Sequence, residues 1–315
     1  MTGVSPVSRK LIPTLAALLI LTGCNSTKPT APEPANPAAA SSTPAAPVKT
    51  YPIRGKVVSV NGPSVMLDHE AVPGFMDAMT MAYKLKDPSV ASELHPGDRI
   101  TANLLVSKDA DGFNSVLLDN IVVIAQAKPD YKPSVQYHVP QPGDAVPDFK
   151  LINQSGRSIH LSQFHGKVLL VTFIYTRCNL PEFCLRMSRN FADIHQALTQ
   201  DPALNDRTHL LSISFDPTYD TPAVLHAYGI EYVGAKNAAQ AFNHWDFAAP
   251  TEKDLPAITQ FFNVGVTSGD NKSLTHSLST ILIGKDGKVA AWYPTNDWHP
   301  QDVLAQVRQI ASAAA

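Results

Sequence analysis

The chain has 315 residues, with 25 basic and 27 acidic side chains and a formal charge of −2 at pH 7. That balance excludes a nucleic-acid binder working through a basic face, and the length allows two modest domains with additional segments. The cysteines, Cys24, Cys178 and Cys184, form an odd set, so one of them has a fate separate from the other two.

In chain order, Arg9 and Lys10 supply a positive leader region. Leu11 to Leu21 is a short apolar run, interrupted by Pro13 and too short to span a bilayer comfortably. It ends in Leu21-Thr22-Gly23-Cys24, which resembles the bacterial lipobox. The resemblance implies a signal peptide over residues 1–23, a lipidated Cys24 at the mature N-terminus, and a protein held on a bacterial membrane in the periplasm. Residues 24–50 are rich in Pro, Ala, Ser and Thr and cannot bury a core, so an extended tether is expected there.

Residues 51–126 change character. Apolar, β-rich runs at 53–60, 64–69, 99–106 and 116–123 are separated by turn signals such as Asn61-Gly62-Pro63 and Pro96-Gly97-Asp98. Five or so short strands predict a small all-β barrel of OB type. Residues 127–141 hold several prolines and read as a second linker. From 142 to 315 strands and helices alternate. Lys167 to Tyr175 is a buried central strand, and a helix covers about Leu185 to Leu198. A strand at Leu210–Phe215 leads to a helix opened by Thr221-Pro222. Thr251–Phe262 is a further helix, shortened or kinked at Pro256. A hairpin over 277–293 and a helix at Pro300–Ser312 complete an α/β thioredoxin-like order.

Two constellations carry chemistry. Four of the six methionines lie between Met66 and Met81. Met79 and Met81 are two apart, so on a strand both sulfurs lie on one face. Thioethers are soft, neutral ligands suited to Cu(I) or Ag(I), and His69 precedes a turn that brings its ring back toward them. The alternative is that the methionines fill a core; Met66 is read that way. The segment His69 to Tyr83, with its His followed by Met79-Thr80-Met81, resembles the CusF-like copper/silver-binding domains. The best-known members place a tryptophan over the metal; here Met76 takes that slot beside Phe75. The resemblance implies His69, Met76, Met79 and Met81 as ligands.

The second constellation starts at Cys178, directly after the buried strand, with Cys184 six residues on and just before a helix. A thiolate near a helix N-terminus is stabilised by the local positive potential, so a lowered thiol pKa is expected, with Arg177 adding to it. A structural disulfide is the competing reading for an exported protein.

The motifs Val146-Pro147-Asp148-Phe149, Thr172 to Cys178, Ser214-Phe215-Asp216-Pro217, Asp220-Thr221-Pro222 and Thr275-His276-Ser277 resemble the Sco/SenC family from about Pro140 to Ser312. The resemblance implies that Cys178, Cys184 and His276 bind copper, as Cu(I) or also as Cu(II), while Asp216 and Asp220 shape the surrounding loop. It also implies a role in assembling the dinuclear copper site of cytochrome oxidase, with the copper-bearing oxidase subunit or another periplasmic copper protein as partner. Two departures stand out. Five residues separate the cysteines where most members have three, and Asn179 and Leu185 stand where prolines usually follow each cysteine. The spacing excludes one helix carrying both sulfurs on one face and requires a loop. The expected function is a membrane-anchored copper chaperone. Its rivals are a thiol-disulfide oxidoreductase using Cys178 and Cys184, and a copper/silver resistance buffer. Absence of Cys-x-x-Cys and of a proline before His276 weighs against a general disulfide reductase.

Overall fold

The computed structural model describes residues 48–108, 114–132, 135, 137–178, 181, 183–234, 238–268 and 274–313. The predicted leader, Cys24 and most of the tether lie outside the described residues. No helix among the described residues is long and apolar enough to cross a membrane.

Strands β1 (Lys49–Asn61), β2 (Ser64–His69), β3 (Met79–Leu85), β4 (Arg99–Lys108) and β5 (Asn114–Ala125) close a barrel in the order β1-β2-β3-β5-β4. β4 shows why it closes: Ile100, Ala102, Leu104 and Val106 are buried and alternate with more exposed residues, so one face of the strand fills the interior. β1 serves two neighbours. Its first half pairs with β4 and its second with β2, and the register shifts between Val57 and Ser59. Such a bulge bends a strand and increases its twist. Gly55 lies where both ladders meet; a Cβ there would stand 2.7 Å from the Asp68 carbonyl oxygen, so the crossing admits only glycine. The barrel is of the OB type expected.

The remainder is a seven-stranded sheet with helices. Its elements are β6 (Lys150–Asn153), β7 (Ser158–His160), β8 (Val168–Ile174), α1 (Cys184–Thr199), α2 (Pro202–Asn205), β9 (Thr208–Ser214), α3 (Pro222–Val233), α4 (Ala238–Ala241), β10 (Trp245–Ala249) and α5 (Leu255–Phe261). They continue with β11 (Val266–Ser268), β12 (Leu274–His276), β13 (Thr280–Ile283), β14 (Val289–Tyr293) and α6 (Pro300–Ser312). The sheet order is β14-β13-β8-β9-β10-β6-β7, and β11 and β12 form a separate hairpin. β8, β9 and β10 run parallel, and every residue of all three is buried, as expected for the central strands of a parallel sheet covered on both faces. The parallel centre, the antiparallel β13–β14 edge and the closing helix make this domain thioredoxin-like.

Local chemistry explains why the helix expected over Thr251–Phe262 is shortened. α5 begins at Leu255 because Thr251 to Asp254 form a turn in which the Thr251 hydroxyl donates to Asp254 (2.7 Å). Pro256 then sits in the first turn, where no N–H is needed, and opens the helix instead of kinking it. The β6–β7 hairpin and β10 had no distinct signal in the sequence.

The barrel packs directly on the thioredoxin-like domain. The side chain of Thr80 on β3 approaches Gly265 just before β11, where an added Cβ would meet it at 3.1 Å. Phe183 packs against the barrel core as well as its own domain. Lys84 pairs with Asp297 at 2.6 Å, and Gln141 donates to Asn61 at 3.1 Å. Both partners of the ion pair are partly exposed, so it contributes at most about 1 kcal/mol, and apolar contact is the main attachment.

Candidate functional site

The chain leaves β8 at Ile174 and turns through Tyr175 to Cys178, with the Cys178 N–H donating to the Tyr175 carbonyl (3.1 Å). Two carboxylates hold this turn. Asp220 accepts from the Thr176 N–H (3.1 Å), the Thr176 hydroxyl and the Ser214 hydroxyl (2.5 Å each). Asp216 pairs with Arg177 at 2.5 Å, and that guanidinium lies over the Tyr219 ring at 4.2 Å. The Arg177 charge is thus spent on Asp216 and Tyr219. Burial raises the Asp220 carboxyl above its ordinary pKa.

Cys184 is the first residue of α1, and His276 ends β12. Three segments far apart in sequence therefore deliver two thiols and one imidazole to one place. Their ligating atoms all lie within 4.8 Å of one another, and the three residues are 5%, 0% and 2% exposed. The Cys184 sulfur is 3.3 Å from His276 Nε2. His276 Nδ1 is 2.9 Å from the Ser277 carbonyl oxygen, which can only accept, so Nδ1 carries the hydrogen. Nε2 then turns its lone pair to the cysteines, the tautomer that a metal ligand needs. Tyr175, Phe183 and Phe215 surround the imidazole with ring centroids at 4.5–5.8 Å. The Tyr175 hydroxyl donates to the Leu274 carbonyl (3.1 Å), tying the cysteine turn to β12. Burial, ahead of the neighbouring thiols, raises this phenol to about 12.

One expectation is reversed. The Cys184 thiol is pushed well above its ordinary pKa, because burial outweighs the helix N-terminus. No disulfide joins Cys178 and Cys184; both stand as thiols. The five-residue spacer does not separate the sulfurs: two thiolates each about 2.3 Å from one metal ion lie at most about 4.6 Å apart, close to the 4.8 Å limit observed for the trio.

In the barrel, the register of β2 and β3 sets His69 opposite Met79 and Leu67 opposite Met81. His69, Leu67, Met79 and Met81 consequently share the inward face. His69 is 3% exposed; its Nδ1 lies 2.7 Å from the Glu70 carbonyl, and its buried Nε2 has no hydrogen-bond partner among the described residues. A buried ring nitrogen in this state suits a metal ion. Tyr83, two residues beyond Met81, stacks edge-on with His69 (5.6 Å) and donates its hydroxyl to the Met76 sulfur (3.4 Å). Met76 reaches the site from a tight loop in which the Val72 and Met76 backbones pair and Gly74 takes φ +77°. Phe75 stacks on Tyr51 at 4.9 Å at the barrel mouth. Met79 and Met81 belong to the barrel core and also line a cavity, so the core and ligand readings describe the same side chains from two sides.

That cavity, about 510 Å³, lies between the methionine face of the barrel and the aromatic wall of the cysteine site. Met76, Met79 and Met81 line it from the barrel; Tyr175, Phe183 and Leu274 line it from the other domain. Nothing in the sequence signalled Phe183, Tyr175 and Leu274 as a shared wall, because their proximity to β3 arises from domain docking.

The fold and the two donor sets define a soft-metal protein: a thioredoxin-like domain with a dithiol–imidazole cluster, docked on a barrel with a thioether–imidazole face. The SCO1/SenC family matches residues 138–312, more than half of the chain, and the chain belongs to that family. Residues 50–117 match the family described as copper binding periplasmic protein CusF. Copper is the metal that these matches assign to the chain. A SCO2-like protein of Rickettsia felis is 28% identical over 149 residues, 45% of this chain, and the match spans 65% of that relative's length. Among solved structures, a SCO1/SenC family lipoprotein of Bacillus anthracis shares 22% identity over 56% of this chain and 100% of its own, with a TM-score of 0.46. Bradyrhizobium japonicum ScoI, solved with copper bound, shares 20% identity over 53% and 99%, with a TM-score of 0.44.

The two sites are expected to respond differently to acid. Copper at Cys178 and Cys184 must displace thiol protons, and burial raises the Cys184 pKa, so affinity there falls about tenfold per pH unit for each proton released. Burial lowers the His69 pKa below 6.5, so its ring stays neutral into mild acid, and thioethers do not titrate. Lowering the pH from about 7.5 to about 5.5 is expected to strip the cysteine site first. Metal retention measured on variants lacking one site or the other checks this order.

Proposed function

We propose that this chain is a periplasmic copper chaperone, held on a bacterial membrane by lipid at Cys24, that carries Cu(I) at His69, Met76, Met79 and Met81 and copper at Cys178, Cys184 and His276. The observation that supports it most is the convergence of two thiols and an oriented imidazole from three segments, buried beside a second soft donor set in the same chain. A structural disulfide needs no imidazole lone pair aimed at it. The client proposed is the copper-bearing subunit of cytochrome c oxidase, in keeping with the family, or another periplasmic copper protein. No nucleic acid is involved.

The two neighbouring thiols, not joined in a disulfide, also favour a second reading, a thiol-disulfide oxidoreductase that reduces the client's cysteines. One experiment separates the two. Copper-charged chain is mixed anaerobically with the apo, reduced copper domain of the oxidase subunit, and uncharged reduced chain with the oxidised domain. Metal transfer in the first mixture, with slow thiol exchange in the second, is the chaperone result; the reverse makes the chain a reductase. The anchor is tested separately: Cys24→Ala is expected to move the protein from the membrane to the soluble fraction or leave it unprocessed, as read by intact mass and fractionation.

A further inference from the structure

The cysteine site is closed on nearly every side. Cys184 is fully buried, Cys178 and His276 are almost so, and Tyr175, Phe183 and Phe215 pack round the imidazole. One of these walls has open space behind it. Tyr175 and Phe183 line the cavity whose opposite side carries Met76, Met79 and Met81. Phe183 therefore stands between two soft donor sets: its ring is 5.8 Å from the His276 ring on one side and packs on the barrel core on the other. Tyr175 cannot easily yield, because its hydroxyl is fixed to the Leu274 carbonyl. Phe183 is held only by packing, is half-buried, and caps α1 without any side-chain hydrogen bond. At about 510 Å³ the cavity is roomy on the barrel side of Phe183, so the ring itself is what closes the way to the cysteine site.

We propose that Cu(I) passes from the barrel methionines to Cys178, Cys184 and His276 through this cavity without leaving the chain, with Phe183 as the gate that swings aside. The proposal rests on the two-site copper reading above and adds a route to it. The step is ligand exchange. Copper–thioether bonds break, copper–sulfur bonds to Cys178 and Cys184 and a bond to His276 Nε2 form, and each ligating thiol releases its proton to water. Copper stays Cu(I), and no electron moves. The direction follows from ligand charge: neutral thioethers hold the ion less tightly than anionic thiolates.

The test is anaerobic stopped-flow loading of the reduced full chain with one equivalent of Cu(I) as its acetonitrile complex, following the near-ultraviolet copper–thiolate absorption. In the wild type the absorption is expected to rise in a phase whose rate does not change over a tenfold range of protein concentration. Met79→Leu/Met81→Leu is expected to slow filling of the cysteine site at least about tenfold, although neither residue touches it. Phe183→Trp, a larger gate, is expected to slow the same phase while the barrel still binds its own ion. The methionine variant keeps side-chain volume, so the test survives if the tryptophan disturbs packing. Filling at the wild-type rate in the methionine variant, a rate that scales with protein concentration, or an unchanged rate in a folded Phe183→Trp chain overturns the route. Those failures leave the two-site reading standing, since the cysteine site still fills at the end point and the barrel site is read separately with Cys178 and Cys184 oxidised. A wild-type chain whose cysteines never acquire copper refutes that reading itself.

Discussion

Replacing His276 with alanine is expected to weaken copper at Cys178 and Cys184 by at least about 100-fold while leaving the two thiols able to form and break a disulfide. Loss of a hydrogen-bond partner behind a ligating histidine alone costs about 10–100-fold in metal affinity, so loss of the ligand costs at least the upper end. The imidazole is oriented for this role. Nδ1 is engaged by the Ser277 carbonyl, and Nε2 faces Cys184 at 3.3 Å. The substitution also leaves a buried carbonyl without its donor, at a stability cost of about 1–3 kcal/mol. Thermal unfolding of the metal-free variant measures that cost separately. A competition titration against a Cu(I) chelator reads the affinity, and thiol titration after oxidation and reduction reads the cycle. Unchanged affinity in the folded variant would take His276 out of the ligand set.

The second large effect is expected at the barrel. With Cys178 and Cys184 oxidised, so that they offer no thiolate, the chain is expected to bind one Cu(I) or Ag(I), and Met79→Leu/Met81→Leu to bind none. Leucine matches methionine in volume and apolarity, so each exchange costs less than about 1.5 kcal/mol and the barrel persists. Both side chains belong to the barrel core, which is why a smaller residue is avoided. Circular dichroism of the variant reports the fold, and equilibrium dialysis against Ag(I) reports the site. A folded variant that still binds silver reduces Met79 and Met81 to core packing.

The sequence was most legible where one residue pattern has one physical meaning. The run Val168–Ile174 is apolar but for Thr172 and lies in the sheet centre, and Thr221-Pro222 opens α3 as cap and first turn, with the Thr221 hydroxyl accepting from the Val224 N–H. The two-residue step from Met79 to Met81 gave a shared face, and the ladder to β2 placed His69 across from Met79. β10 escaped notice because Trp245-Asp246-Phe247 carries a charge in mid-strand; Asp246 is buried there against His209 and Asn153, partners distant in sequence. The Cys184 pKa differs from expectation for a related reason: a helix N-terminus is visible in sequence, whereas the complete burial that overrides it comes from tertiary packing. The shared cavity lies at the same level: two domains read separately carry no sign that Met81 and Phe183 face one space.

The central claim is a chain with two copper sites, one of which exists only while the cysteines are reduced. Its most direct test is anaerobic equilibrium dialysis of the full chain against buffered Cu(I), with the cysteines first reduced and then oxidised, and copper counted per chain. Two copper ions are expected in the reduced chain and one in the oxidised chain, the remaining ion being lost on Met79→Leu/Met81→Leu. A single copper ion in both redox states would contradict it, because Cys178, Cys184 and His276 would then not be a copper site.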